Sequence, residues 1–156
     1  MNIEIKRDYY LEQLISRMDN GLIKVVTGIR RCGKSYLLRT LFKKYLLEQG
    51  ISEDHVIEMA FDLYDNIEFR DPKVFYPWVK EQLKDEEKYF ILLDEVQMLD
   101  EFVSVLNGLA DKKNCDVFVT GSNAKFLSRD IATEFGGRGD EIHMYPLSFS
   151  EFMSVY

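Results

Sequence analysis

Residues 28–35 read Gly-Ile-Arg-Arg-Cys-Gly-Lys-Ser, a full match to G-x-x-x-x-G-K-[ST]. The flanks are those the pattern requires. Leu22–Thr27 (LIKVVT) is a short apolar run suited to a buried strand. A helical pattern follows, carrying Leu37, Leu38, Leu41, Phe42, Tyr45 and Leu46, with Gly50 just past its end. A strand, a glycine-bounded loop and a helix in that order bind phosphate for physical reasons. Glycines let the backbone N–H groups converge on an anion, and the helix start adds free N–H groups and the positive dipole end. Nucleotide contact is therefore expected from Gly28, Ile29, Arg30, Arg31, Cys32, Gly33, Lys34, Ser35 and Tyr36. Lys34 is expected on the terminal phosphates and the Ser35 hydroxyl on Mg2+. Arg30 and Arg31 either add to the anion field or stay solvated; Cys32 reads as a small loop residue more than as a redox switch.

Further along, the run Tyr89–Leu93 ends in Asp94 and Glu95. A carboxylate at the end of a buried strand beside a phosphate loop can hold Mg2+ through water, the role expected of Asp94. Glu95 is placed to polarise a water aimed at the γ-phosphate, as a general base. A phosphotransferase would waste its nucleotide with such a residue, so hydrolysis is favoured over transfer to a small acceptor. Guanine is read by an Asn-Lys-x-Asp element, which is absent, since Lys113-Asn114-Cys115-Asp116 has the wrong order. ATP is the expected nucleotide. Val117–Asn123 ends a strand in a polar turn, where Thr120, Ser122 or Asn123 could sense the γ-phosphate or hold the water, or merely form a turn. Arg138, in Gly136-Gly137-Arg138-Gly139, is either a source of transition-state charge for its own or a neighbouring subunit's site, or a solvated loop residue.

The remaining pattern supports one domain. A helix is expected from Asp8 to the Asn20-Gly21 turn, and strands at Val56–Phe61, Asp116–Thr120 and Glu141–Tyr145. Another helix should run from the Asp71-Pro72 start towards Lys84, starting late or kinking at Pro77, and a further one should carry Phe102–Leu109. Strands alternating with helices imply an α/β fold with a parallel sheet covered on both faces. The segment Ser148–Tyr156 reads as a helix start, so the chain is expected to be the N-terminal piece of a longer protein.

Composition excludes several classes. The longest apolar run, Tyr89–Leu93, is far below the roughly 20 residues of a membrane helix, and the N-terminus lacks a signal-peptide pattern. A cytoplasmic protein is expected. Cys32 and Cys115 lie 83 positions apart, in no metal-ligand spacing, so no zinc site is expected. Net charge is −7, with the excess of Lys and Arg confined to the first 50 residues, which argues against a broad nucleic-acid surface.

Taken together, Gly28–Ser35, Asp94-Glu-Val-Gln97, Thr120-Gly-Ser-Asn123, and Gly137-Arg138 followed by Tyr145-Pro-Leu-Ser-Phe-Ser-Glu-Phe152 resemble the prokaryotic AAA-like P-loop ATPases with a GxRRxGKS loop and a DExQ second motif. Arg7–Leu14 is similar to that family's opening helix. The resemblance covers essentially the whole chain. It implies a P-loop NTPase three-layer sandwich with a five-stranded parallel sheet of order 5-1-4-3-2. ATP and Mg2+ are the implied ligands, and residues 1–156 are the implied ATPase core. Residues near Arg7–Tyr10 would border the adenine. The implied activity is hydrolysis of ATP to ADP and phosphate that switches or drives an attached domain; the alternative is a nucleotide-binding switch with little hydrolysis. Relatives continue into a helical lid and a C-terminal domain, so that domain and a possible oligomer are the implied partners.

Overall fold

The computed structural model describes residues 2–29, 32–122 and 135–145. Five strands, β1 (Ile23–Thr27), β2 (Val56–Ala60), β3 (Tyr89–Asp94), β4 (Cys115–Gly121) and β5 (Gly139–His143), form one parallel sheet. Their order is β2-β3-β4-β1-β5, which from the other edge is 5-1-4-3-2, as expected. Every residue of β1, β3 and β4 is buried, the state of central strands with helices on both faces.

Strand alternation sorts two cores. On one face Val25, Ile57, Ile91, Leu93 and Val117 pack against Phe75 and Val79 of the Pro72–Gln82 helix and Leu106 and Leu109 of the Phe102–Ala110 helix. On the other, Val26, Phe90, Leu92 and Phe118 pack against Tyr10 and Leu14 of the Asn2–Ser16 helix and Leu38, Phe42 and Leu46 of the helix after the loop. That last helix is α-helical over Lys34–Tyr36, π-helical over Leu37–Phe42 and α-helical again over Lys43–Glu48. The chain thus leaves β1 on one face and β3 on the other, which opens a crevice at the carboxyl ends of the strands, over the end of β4.

Three expectations shift. The N-terminal helix begins at Asn2, not Asp8, and β5 occupies Gly139–His143, two residues earlier than expected. The Pro72–Gln82 helix neither starts late nor breaks at Pro77. Asp71 caps it by accepting from the Lys73 N–H at 2.9 Å, Pro72 sits in its first turn, and Pro77 is exposed, so the Lys73 carbonyl it leaves unpaired lies on the solvent side. Residues 146–156, with the expected helix start at Ser148, lie outside the described residues.

Candidate functional site

The phosphate loop is built by close backbone contact. Gly28 has φ +149°, and a Cβ there would lie 2.6 Å from the Met144 carbonyl oxygen and 2.8 Å from Cys32 Sγ. Only glycine fits between β1 and the exit of β5. Gly33, at φ +97°, turns the chain into the helix. Lys34 is 3% exposed, and its ammonium donates to the carbonyls of Gly28 (3.0 Å) and Ile29 (2.8 Å), bracing the loop across its mouth. Ile29 and Tyr36 are exposed. Arg30 and Arg31 lie outside the described residues.

A cavity of about 310 Å³ is lined by Gly33, Lys34, Ser35, Tyr36 and Glu95, so the fold joins the loop to the carboxylates 60 residues away. Asp94 ends β3 on the face that the loop helix covers, as the alternation Phe90, Leu92, Asp94 requires. Its buried carboxylate accepts a hydrogen bond from Thr120 Oγ1 at 2.6 Å, and the Ser35 hydroxyl lies near enough to favour its charged form. Burial pushes the Asp94 carboxyl up. The Thr120 bond and the nearby Ser35 hydroxyl pull it down, the charges of Asp62 and Glu95 push it up, and the net position is above the usual carboxylate range.

Glu95 sits in the left-handed region at φ 53°, ψ 54°, a conformation that costs a non-glycine residue roughly 1–2 kcal/mol. Contacts compensate. Its N–H donates to Thr120 Oγ1 at 2.8 Å, so Thr120 serves both acidic residues at once. Ser122 Oγ donates to Glu95 Oε1 at 2.6 Å and lies 3.0 Å from Oε2, and Gln97 Nε2 donates to Oε1 at 2.9 Å. Of the three sensor candidates, Thr120 therefore faces the Asp94 carboxylate and Ser122 the Glu95 carboxylate, while Asn123 lies outside the described residues.

The donor set fits Mg2+ bound with nucleotide. Ser35 and Asp94 offer hard oxygen donors side by side, and among the described residues no group of three His, Cys, Asp or Glu could hold a metal ion unaided. Magnesium characteristically takes one or two protein oxygens and fills its octahedron with phosphate and water.

Arg138 is not part of this constellation. It lies just before β5, at the amino end of the sheet: its carbonyl accepts from Ile23, the first residue of β1, and its Nη1 pairs with Asp111 Oδ1 at 2.6 Å and donates to the Asn107 carbonyl at 3.2 Å. The five residues of β1 span about 16 Å and separate it from its own phosphate loop. The expectation of a charge contributed to its own site is corrected on that ground. At the loop end, by contrast, the Tyr145 N–H donates to the buried Tyr10 hydroxyl at 3.1 Å, and Tyr9 and Tyr145 are exposed beside it.

A family model described as an AAA domain matches residues 20–153. The chain belongs to that family. Curated relatives agree: an uncharacterized protein of Haemophilus influenzae is 39% identical over 150 residues, covering 96% of this chain and 37% of its own length. An uncharacterized protein of Methanocaldococcus jannaschii is 30% identical over 135 residues, covering 84% and 28%. The chain thus spans about a third of the length of these relatives. Among solved structures, Cdc6p from Pyrobaculum aerophilum superposes with a TM-score of 0.67 at 15% identity, covering 96% of this chain and 48% of that one. AMPPCP-bound DnaA from Aquifex aeolicus gives 0.59 at 16% identity, covering 94% and 47%. At such identities the AAA domain shares their fold. The family and these neighbours suggest an ATPase domain. No helix among the described residues is long and apolar enough to cross a membrane.

Sequence reasoning assigned no role to two residues that the structure brings in. Gln97 stood in the DExQ motif but binds Glu95 only because the Val96–Met98 turn folds it back. Asp62, two residues past β2, bears on Asp94 through the β2–β3 pairing; only the strand order could have shown it.

Proposed function

We propose that this AAA domain binds Mg2+-ATP in the crevice over β1, β3 and β4 and hydrolyses it to ADP and phosphate, driving or switching an attached domain. The observation that carries the reading is the hydrogen-bonded chain Asp94–Thr120–Glu95–Ser122, which orients the carboxylate pair beside the cavity lined by Gly33, Lys34 and Ser35 of the phosphate loop. The loop N–H groups and Lys34 would bind the phosphates. Ser35 and Asp94 would hold Mg2+, directly and through water, and the ion supplies charge neutralisation on the β- and γ-phosphate oxygens. Glu95 would take the proton of the attacking water, with Ser122 fixing the carboxylate that receives it. Arg138, remote from its own site, would serve a neighbouring subunit's site in an oligomer, and breaking its pair with Asp111 would be required first. The reading places the domain in the cytoplasm, with an attached C-terminal domain as its partner and nucleic acid outside the domain's own contacts.

A second reading has one observation in its favour. Oε1 of Glu95 already accepts from both Ser122 and Gln97, so the domain alone could act as a nucleotide switch that hydrolyses little. Calorimetric titration of Mg2+-ATP and Mg2+-GTP, with Lys34→Ala beside the parent, tests the site: saturable binding, preferring ATP and weakened by the substitution, is expected. Phosphate release then separates the readings. Turnover above that of Glu95→Gln supports hydrolysis, and turnover equal to it leaves the switch.

A further inference from the structure

Gln97 belongs to none of the roles above, yet its side chain is placed with unusual constraint. Its amide nitrogen donates to Glu95 Oε1 at 2.9 Å, and its own carbonyl oxygen, Oε1, is buried without a hydrogen-bond partner among the described residues. A buried acceptor left unsatisfied weakens a fold, and such groups in native structures call for an explanation. Swapping the two ends of the amide does not relieve it, because a carbonyl would then face the Glu95 carboxylate. The orientation is therefore dictated by Glu95.

The consequence lies in how the two oxygens of Glu95 differ. Oε1 receives Ser122 at 2.6 Å and Gln97 at 2.9 Å, whereas among the described residues Oε2 has only the longer 3.0 Å approach of the same Ser122 hydroxyl. That hydroxyl has one proton, and the shorter bond uses it. Oε1 is pinned from two sides and Oε2 is left as the oxygen open to water. Glu95 also hangs from a left-handed backbone, at the start of the tight Val96–Met98 turn, where the Met98 N–H donates to its carbonyl at 3.1 Å. Gln97 thus closes a small ring from backbone to carboxylate that stops the side chain from rotating.

We infer that Gln97 is a positioning residue that fixes the rotamer of Glu95 so that Oε2 faces the attacking water. This rests on the proposed hydrolysis. It is a role apart from binding, since Gln97 does not line the cavity at the loop.

Gln97→Leu, Gln97→Glu and Glu95→Gln variants of the 156-residue chain test it by three readouts: thermal unfolding, affinity for Mg2+-AMPPCP by calorimetry, and single-site phosphate-release kinetics. For Gln97→Leu the expected result is an unfolding temperature equal to or above that of the parent, because the orphaned acceptor is gone. Analogue affinity should stay within twofold, and kcat should fall between about ten- and a hundredfold, the loss expected from a misplaced catalytic group. Gln97→Glu, which sets a like charge against Glu95, should not restore the rate. A merely structural glutamine would give the opposite pattern, a lower unfolding temperature with kcat per folded molecule unchanged, and that result overturns the proposal. So does a parent-like kcat in Gln97→Leu, or a loss of turnover matched by an equal loss of analogue affinity. Failure of the hydrolysis reading itself is recognised separately: the parent would then turn over no faster than Glu95→Gln.

Discussion

Lys24 and Asp116 supply the sharpest test of how this domain holds its sheet together. Lys24, the second residue of β1, is fully buried, and its ammonium lies 2.5 Å from Asp116 Oδ1 on β4, 3.1 Å from Asn20 Oδ1 and 4.7 Å above the Phe118 ring. The second oxygen of Asp116 accepts the Asp19 N–H at 2.8 Å, so one ion pair locks β1, β4 and the turn between the first helix and β1. Lys24→Met keeps the aliphatic stem and removes the charge. Asp116 is then left buried with one N–H donor. Breaking a buried pair from one side costs about 3–5 kcal/mol. In a chain of 156 residues each kcal/mol moves Tm by about 2–4 °C, so the drop should be roughly 6–20 °C. The double variant Lys24→Met/Asp116→Leu removes both charges and should recover at least about 2 kcal/mol of that loss, because an ion pair replaced whole by apolar groups is often near neutral. Guanidinium unfolding of the four members of the cycle measures this directly. A single variant costing under about 1 kcal/mol, or a double variant no better than the sum of the singles, would refute the reasoning.

Gly28→Ala places a methyl 2.6 Å from the Met144 carbonyl and should destabilise by about 1–3 kcal/mol while abolishing ATP binding, read by denaturant unfolding and calorimetry. Thr120→Val leaves Asp94 short of a donor and the Glu95 N–H short of an acceptor, and should cost about 1–3 kcal/mol in the same unfolding assay. His55 stacks on Tyr89 and lies 3.2 Å from Asp85 and 3.1 Å from Asp54; burial pulls its pKa down, but these carboxylates outweigh it and hold it above 6.5. Its contribution to stability is therefore complete below pH 6.5 and is lost as pH rises through the raised value, so His55→Gln should flatten a plot of unfolding free energy against pH in that window. Pro77→Ala restores the N–H missing from the helix interior and should stabilise the domain by about 1–3 kcal/mol, visible as a rise in Tm.

The parts legible in the sequence are those whose chemistry is contiguous along the chain. The loop from Gly28 to Ser35, the strand before it and the Asp94-Glu95 pair at a strand end each carry their signal within about ten residues, because backbone geometry and strand burial act locally. The alternation of strands and helices likewise implied a covered parallel sheet; the strand order came only from the resemblance. What tertiary structure alone decided depends on register between strands distant in sequence. Thr120 faces Asp94 and Ser122 faces Glu95 because β3 and β4 pair in the register that sets Leu93 against Val119. Arg138 falls at the amino end of the sheet because β5 starts level with Ile23, the first residue of β1. Lys24 is one charged letter in a short apolar run, and only β4 brings its partner Asp116 beside it, from 92 residues away. Gln97 was visible as a letter of a motif, but its bond to Glu95 exists only where a left-handed residue turns the chain back on itself. Local pattern specifies which groups a segment carries; the pairing of segments specifies which of those groups meet.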